Sequence, residues 1–378
     1  MTKILYLATE DWFFASHFLP FARAARDCGL EVIVAARVDR HRAILEAAGC
    51  RVVALPIERG KLRLLAVLKE IVAIATLIRH ERPEIVHCIA LRMVILGGLI
   101  SKFARVKISV LAVTGLGALW LNSGAMVAFA RASVRWVVRR LVFNGANIIF
   151  ENHDDPHEFG LDADMRDVTI MPGAGVDAEF FSASPQSAAP PVKFAVVARM
   201  LRTKGIAEAV AAFRQARRQG AAIEIHLYGS PDTENWNSFT ENELRAWDAE
   251  PGIFWHGTTD DVRQVWRDHH VALLLTYREG LPRMLVEAAA SGRPIIATDV
   301  PGCREIVRNG VEGFLVPAMQ TEDAARAMRS LANDDALRRR MGAAAQQRFL
   351  QGFTAKIVTR RLVELYSRLM RPDNGVGD

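Results

Sequence analysis

Over the first 150 residues, short aliphatic and β-branched runs alternate with longer stretches in which apolar positions recur at helical spacing. KILYLA is followed by a helical pattern from Phe18 to Cys28, then EVIVAAR, and the alternation continues to NIIFE at 147–151. Continuous apolar strands separated by helices predict a parallel sheet covered on both faces. From 182 to 192 the sequence SASPQSAAPPV has no hydrophobic period and holds three prolines, so it reads as an exposed linker. The pattern then restarts: VKFAVVAR, a helix from Ile206 to Gln219, AIEIHLYG, GIFWHG, VALLLTY, a helix from Pro282 to Ser291, RPIIATD and FLVP. The expectation is an α/β chain with two Rossmann-like, doubly wound parallel-sheet domains: 1–181, a linker at 182–192, 193–352, and a last helix over 353–378 packing back on the first domain. Ligands of such sheets lie beyond the carboxyl ends of the strands.

Length agrees with this division, because 378 residues exceed one ordinary domain and suit two. Hydrophobic residues make up 51% and charged residues 24%, which excludes extensive disorder. Leu64 to Ile78 is strongly apolar, but Lys69 and Glu70 interrupt it. Val86 to Ile100 is broken by His87 and Arg92. Neither reaches the roughly 20 apolar residues of a membrane span, so both read as buried or interfacial helices. Cys28, Cys50, Cys88 and Cys303 are far apart with no zinc-ligand spacing, and MTKILYLATED reads as a first strand rather than a secretory leader. Reduced cysteines and a cytoplasmic chain are expected. The net charge of +6 is modest, and its basic residues sit beside apolar ones in the first half, which favours a membrane surface over nucleic acid.

Candidate chemistry concentrates in the second half. Tyr277-Arg-Glu-Gly-Leu-Pro-Arg-Met-Leu-Val-Glu-Ala reads as a strand end, a tight turn holding Gly280, Leu281 and Pro282, and a helix that carries Glu287. Free N–H groups at that helix start favour an anion such as a diphosphate. Glu279 and Glu287 can each accept two hydrogen bonds from sugar or ribose hydroxyls. Counter-charge is expected from Arg199, at the end of the first strand of the second domain, and from Lys204, at the start of its first helix.

The Glu279-to-Glu287 spacing, the Arg199/Lys204 pair, the run PIIATDVPGCREIVRNGVEGFLV and Pro172-Gly-Ala-Gly-Val-Asp together resemble the retaining glycosyltransferases of family 4, over about residues 193–350. That resemblance implies the GT-B fold, in which two Rossmann-like domains face each other across a cleft. It places Glu279 at the donor sugar, Glu287 at the ribose, and Arg199 and Lys204 at the diphosphate. Glu279, Arg199 and Lys204 carry catalysis in this reading, and Gly280, Leu281, Pro282 and Gly175 complete the donor site. Asp11-Trp-Phe-Phe-Ala-Ser-His-Phe-Leu-Pro, Val113-Thr-Gly-Leu-Gly and Phe150-Glu-Asn-His-Asp-Asp are similar to bacterial members that build surface glycans on undecaprenyl diphosphate. The resemblance therefore implies a UDP-sugar donor, a polyprenyl-diphosphate-linked acceptor, retention of anomeric configuration and no metal. Many family members carry a histidine where this chain reads Thr114-Gly115-Leu116-Gly117, so a role for that histidine has no carrier here.

On the acceptor side the candidates are His17, Arg92, Thr114, Gly115 and Gly117. For His17 a structural hydrogen bond, and for Arg92 a plain salt bridge, are equally open. Asn122 to Phe143 forms a helical pattern with Arg131, Arg135 and Arg139 at four-residue spacing, Arg140 beside them, and Trp120, Phe129, Trp136 and Phe143 alongside. Such a helix either rests on the anionic inner leaflet of the cytoplasmic membrane or covers the sheet with a solvated arginine face. Asn152, Asp154 and Asp155 line a cleft or cap a helix. Asp162-Ala-Asp164 is a chance match to a metal-chelating DxD, and Gly115-Leu-Gly117 lacks the rest of a dinucleotide fingerprint. Two other readings compete with a membrane-acceptor transferase: a transferase with another acceptor, and a sugar-nucleotide epimerase or non-catalytic subunit of the same fold.

Overall fold

The structure is a computed structural model that describes residues 2–58, 63–116, 120, 124–186 and 188–371. It divides into two compact units, Met1–Gly175 with Ala355–Asp378, and Val176–Thr354.

The first unit is a seven-stranded sheet of β1 (Lys3–Glu10), β2 (Glu31–Arg37), β3 (Arg51–Ala54), β4 (Ile85–Ile89), β5 (Ile108–Val113), β6 (Asn147–Phe150) and β7 (Val168–Ile170). Every pairing is parallel, in the order β3-β2-β1-β4-β5-β6-β7. Because side chains alternate along a strand, Ile4, Tyr6 and Ala8 of β1 enter one core while Leu5 and Leu7 enter the core on the opposite face. The apolar stretch Leu64–Glu81 is one helix of this unit. Val86 to Ile100, expected to be a buried or interfacial helix, is instead β4 followed by the helix Ala90–Phe103. Among the described residues no helix is long and apolar enough to cross a membrane.

The second unit is a six-stranded sheet of β8 (Val192–Val197), β9 (Ile223–Tyr228), β10 (Ile253–Trp255), β11 (Val271–Leu274), β12 (Ile295–Thr298) and β13 (Gly313–Val316), again all parallel, in the order β10-β9-β8-β11-β12-β13. Its two cores divide the same way: Phe194 and Val196 face one side, Ala195 the other. The strand order reverses direction between β8 and β11, so the loops after these two strands are neighbours at the carboxyl edge.

The passage between units falls at Gly175 and Val176, ahead of the expected 182–192 linker. Phe181 is buried in the second unit's core, and Ser184 and Pro185 are tied to it by the buried Arg293. That guanidinium donates to the Ser184 carbonyl at 2.9 Å and its hydroxyl at 2.7 Å, to the Pro185 carbonyl at 3.5 Å, and to the Trp266 carbonyl. The proline-rich stretch is therefore fastened to the second unit at its start. Val176 bridges Thr354, with its N–H donating to the Phe353 carbonyl at 3.0 Å, so the chain enters and leaves the second unit at adjacent points. The last helix, Ala355–Met370, then packs on Leu19–Asp27 in the first unit, burying Val358, Leu362 and Tyr366 in that unit's core.

Candidate active site

The sequence after β8 turns through a short 3-10 segment, Arg202–Lys204, into the helix Ile206–Arg218. Gly205 makes this turn with a φ of +68°, and a Cβ there would lie 1.9 Å from the Leu275 carbonyl oxygen. Glycine is required both by conformation and by the close approach of the chain that follows β11. The two loops are then stitched by their backbones: the Tyr277 N–H donates to the Thr203 carbonyl at 3.0 Å, and the Thr276 hydroxyl lies 3.1 Å from the same oxygen. Tyr277 adds a 2.7 Å hydrogen bond from its hydroxyl to Glu208; burial and then this carboxylate push the phenol up to about 12.

This stitching puts Lys204 in direct ion pair with Glu279. The Thr276 hydroxyl also donates to the same carboxylate oxygen, at 3.0 Å, while the Thr298 hydroxyl from the end of β12 donates to the Thr276 carbonyl. Glu279 is thereby aimed by three elements, although its side chain retains 12% exposure and Lys204 retains 23%. Behind it, Gly302 donates its N–H to the Glu279 carbonyl at 3.3 Å. A Cβ at Gly302 would meet the Gly280 oxygen at 2.3 Å. The Pro301-Gly302 start of the helix Pro301–Ile306 thus forms the wall against which the Glu279–Gly280 backbone rests.

Leu281 and Pro282 lead into the helix Arg283–Ala290, with Pro282 at its N-cap and no side chain capping it. Its first turn is closed by the Leu285 N–H, which donates to the Pro282 carbonyl at 3.0 Å, and the positive end of its dipole points along the same loop as Glu279. Glu287 sits on the next turn, 7% exposed, with one oxygen accepting from Arg283 Nε at 2.7 Å. Burial raises its pKa and Arg283 opposes the rise. Its acceptor capacity is therefore shared with Arg283 rather than wholly free for hydroxyls.

Arg199 is placed differently from Lys204. It stands half-exposed beyond β8 and donates to Asp232 at 3.1 Å, while the Asp232 N–H is held by Ser238 Oγ at 2.9 Å. Among the described residues no hydrogen bond or ion pair joins Arg199 to Lys204 or Glu279. The two expected phosphate cations thus reach the carboxyl edge of one sheet with separate carboxylate partners. Asp232, Thr203, Thr276, Thr298 and Gly302 were not singled out by sequence: Asp232 acts through its carboxylate and Thr276 through its hydroxyl on side chains they meet only in the fold, and Thr203, Thr298 and Gly302 through contacts that involve the backbone. Gly175, with φ +72°, ends the first unit.

Of the acceptor-side residues, His17 closes the helix Asp11–His17, with Ser16 Oγ 2.7 Å from its Nδ1 and its ring 4.7 Å from that of Phe13. Arg92 pairs with the fully buried Glu70 and donates to the Glu58 carbonyl at 2.9 Å, the salt-bridged arrangement that was one of its two readings. Thr114 and Gly115 follow β5 at its carboxyl end, Gly115 with φ +140°, and Gly117 lies outside the described residues. Asn152 Oδ1 accepts the N–H groups of Asp154 and Asp155 at 3.1 and 2.8 Å, the capping alternative for this trio. A residue missed by sequence is Asp11, fully buried, whose Oδ2 accepts the N–H groups of Asp39 and His41, both at 2.9 Å, and so joins the loops after β1 and β2.

The arginine helix runs over Ala125–Val137 and continues as a π-helical turn, Val138–Val142. Its arginines are not equivalent. Arg131 donates to the Trp120 carbonyl at 3.3 Å and Arg135 pairs with Glu158, so the even cationic stripe expected from spacing is broken. Trp120 and Phe143 are buried, whereas Met126, Phe129, Trp136 and Leu141 are exposed. Asp162 and Asp164 lie exposed in a loop, and among the described residues no cluster of His, Cys, Asp or Glu could hold a metal ion.

Residues 177–348 match the family model Glycosyl transferases group 1, and residues 3–152 match Glycosyl transferase 4-like. Over 374 residues, 94% of this chain and 96% of the relative, the chain is 24% identical to the N,N'-diacetylbacillosaminyl-diphospho-undecaprenol alpha-1,3-N-acetylgalactosaminyltransferase of Campylobacter jejuni. It is 27% identical over 179 residues, 47% of each chain, to the capsular polysaccharide biosynthesis glycosyltransferase CapM of Staphylococcus aureus. Among solved structures, Anabaena HepE in complex with UDP superposes with a TM-score of 0.77 at 17% identity, covering 97% of this chain and 100% of that one. With one family model matched by each of its two parallel-sheet units, the chain belongs to the glycosyltransferases and is a transferase enzyme of the GT-B fold class.

Proposed function

We propose that this enzyme moves a sugar, an N-acetylhexosamine or hexose, from a UDP-sugar to a polyprenyl-diphosphate-linked saccharide, with retention of anomeric configuration. The observation that carries the reading is the Lys204–Glu279 pair, held at the switch point of the second sheet beside the uncapped start of Arg283–Ala290. A diphosphate placed there meets Lys204 and the helix N–H groups, with Arg199 on the flank. The anomeric C–O bond to the β-phosphate breaks as the acceptor hydroxyl oxygen bonds to the same face, and the hydroxyl proton goes to the departing phosphate oxygen. Preorganised cations and dipoles stabilise the charge growing on that phosphate, and this is the work a metal would otherwise do. Glu279 accepts from the sugar hydroxyls and Glu287, oriented by Arg283, from the ribose. In this reading the acceptor belongs to the first unit, at the cytoplasmic face of the membrane; the acceptor class is supported by similarity over 94% of the chain to a transferase whose name specifies a diphospho-undecaprenol substrate.

The test is transfer by purified protein from a panel of UDP-sugars to a short-chain polyprenyl-diphosphate saccharide. The expected product is an extended lipid saccharide with the donor's anomeric configuration, formed equally in EDTA and lost in Arg199→Ala and Glu279→Ala. UDP-sugar binding without transfer to any lipid acceptor would reject the acceptor class, and inversion or EDTA sensitivity would reject the mechanism.

A further inference from the structure

A cavity of about 1100 Å³ opens in the first unit between the arginine helix with its π-helical turn and the last two strands of the sheet, β6 and the edge strand β7. Its walls carry four arginines, Arg135, Arg139, Arg140 and Arg166, against two carboxylates, Glu158 and Asp167. Glu158 is already taken by Arg135 and by the Trp120 indole N–H, which donates to it at 3.0 Å. Among the described residues Arg139, Arg140 and Arg166 have neither an ion-pair nor a hydrogen-bond partner, so the cavity holds uncompensated positive charge. Asn144 and His157 add polar groups, and the rest of the lining is apolar, with Phe159 buried and Trp136 and Met165 exposed at 62% and 44%.

The cavity's position separates it from the chemistry. Asn144, just before β6, and Asp167, just before β7, line it, so it lies at the amino ends of these strands. Ligands reacting in doubly wound sheets lie at the carboxyl ends. Beside the cavity, Met126, Phe129 and Leu141 project from the same helix and turn at 85%, 75% and 45% exposure. An anion pocket bordered by exposed aromatic and aliphatic side chains has the chemistry of the boundary between phospholipid headgroups and acyl chains.

We propose that this cavity is a binding site for the phosphate headgroup of an anionic phospholipid: Arg139, Arg140 and Arg166 hold the phosphate oxygens while Phe129, Trp136 and Leu141 enter the headgroup–acyl boundary. The inference deepens the membrane side of the proposed function and rests on it only in supplying a bilayer. A lipid-borne phosphate accounts for the apolar rim, which a free phosphate ion leaves unused. Arg139, Arg140 and Arg166 are the residues that set lipid preference, ahead of the paired Arg131 and Arg135.

The experiment is co-sedimentation of the full chain with phosphatidylcholine vesicles, with and without phosphatidylglycerol, comparing Arg139→Gln/Arg140→Gln/Arg166→Gln with a control triple of equal charge loss, Lys107→Gln/Arg360→Gln/Arg361→Gln. The expected result is binding that requires phosphatidylglycerol. It falls on the order of a hundredfold in the cavity triple, roughly fivefold per arginine, and less than about threefold in the control. UDP binding by each variant reports that the protein remains folded. Equal loss in both triples would reduce the effect to net charge, and unchanged binding in the cavity triple, or equal binding to neutral vesicles, would overturn the site. Displacement from vesicles by millimolar inorganic phosphate would assign the pocket to a free anion instead. Turnover with a detergent-solubilised lipid acceptor should be retained by the cavity triple; its loss there would assign the pocket to the acceptor rather than to bulk lipid. Failure of every lipid acceptor leaves the vesicle result standing, so the two readings fail separately.

Discussion

Lys204 and Glu279 form an ion pair that joins the loops after β8 and β11 across the reversal point of the second sheet. A carboxylate here does two things at once: it orients Lys204, and it offsets the positive charge that an incoming diphosphate would use. Glu279→Gln keeps the shape, keeps an acceptor for Thr276 and removes the charge. UDP should then bind as tightly or severalfold more tightly, while sugar transfer falls on the order of a hundredfold, because the contact to the donor sugar that the proposed function assigns to Glu279 would be weakened. Lys204→Ala should lower both, with kcat down on the order of a hundredfold or more. Calorimetric UDP binding beside steady-state turnover separates the two signs, and weaker UDP binding in Glu279→Gln would show that the pair is purely structural.

The pair depends on two glycines that bring backbones into contact. Gly205 stands at φ +68° with the Leu275 oxygen where a Cβ would be, and Gly302 lies against the Gly280 oxygen. Gly205→Ala combines backbone strain with a clash and should destabilise the second unit by about 2–5 kcal/mol. Gly302→Ala meets only the clash. It should cost about 1–3 kcal/mol in stability, together with a rise in KM for the UDP-sugar as the Glu279–Gly280 backbone is displaced. Denaturant unfolding and donor KM measured on both variants check this; a stable Gly302→Ala enzyme with unchanged KM would refute the wall role of Pro301-Gly302.

Much of this was legible in the sequence because strand runs and their ends carry their own pattern. β8, β11 and the helix Arg283–Ala290 fall where the apolar runs and the Gly280–Pro282 turn place them, and Lys204, Glu279 and Glu287 follow from those positions. What spacing could not supply was partnership. For Arg92 a salt bridge was an open reading, yet its partner, Glu70, is 22 residues away on a helix read for its hydrophobicity. Arg131, Arg135 and Arg139 repeat every four residues, and only contacts made in the fold, the Trp120 carbonyl for Arg131 and Glu158 for Arg135, distinguish the paired from the unpaired. The segment 182–192 has linker composition, and the tether at its start depends on Arg293, 109 residues from Ser184.

Arg293 is 1% exposed, and burial pulls its pKa down to about 10, so it remains charged at neutral pH while spending its N–H groups on carbonyl oxygens and one hydroxyl. Arg293→Ala leaves those buried carbonyls without donors and opens a void beside Trp266. A loss of about 3–5 kcal/mol is expected in the second unit. Limited proteolysis should then cut near 184–186, whereas turnover per folded molecule stays within about twofold, since no contact to the donor loops is altered. Arg293→Lys should recover little, because a single ammonium cannot reproduce the forked geometry.

The pH dependence of the last helix follows from His87. This imidazole is fully buried on β4, its Nδ1 2.6 Å from the hydroxyl of Tyr366, which in turn lies 2.9 Å from the hydroxyl of Tyr6. Burial lowers the His87 pKa to about 3, so the folded protein holds it neutral, as an acceptor for Tyr366. In the unfolded chain it titrates near 6.5. The folded value is the depressed one, so the unfolded state binds the proton first. The stability from neutral His87 is complete above about pH 6.5 and is lost progressively as pH falls from there toward about 3, by up to roughly 1.4 kcal/mol per pH unit. The buried His226 and His269, both also lowered to about 3, add the same sign in the second unit. Between about pH 6 and 5, before carboxylates take up many protons, the protection factors of amides in Ala355–Met370, with the intrinsic pH dependence of exchange divided out, should fall with acid. His87→Gln should be less stable at pH 7 but lose about one proton's worth of that slope, while Tyr366→Phe lowers stability by about 1–3 kcal/mol and leaves the slope largely in place. An unchanged slope in His87→Gln would show that the proton is taken up elsewhere and that the last helix is not the acid-sensitive element of the first unit.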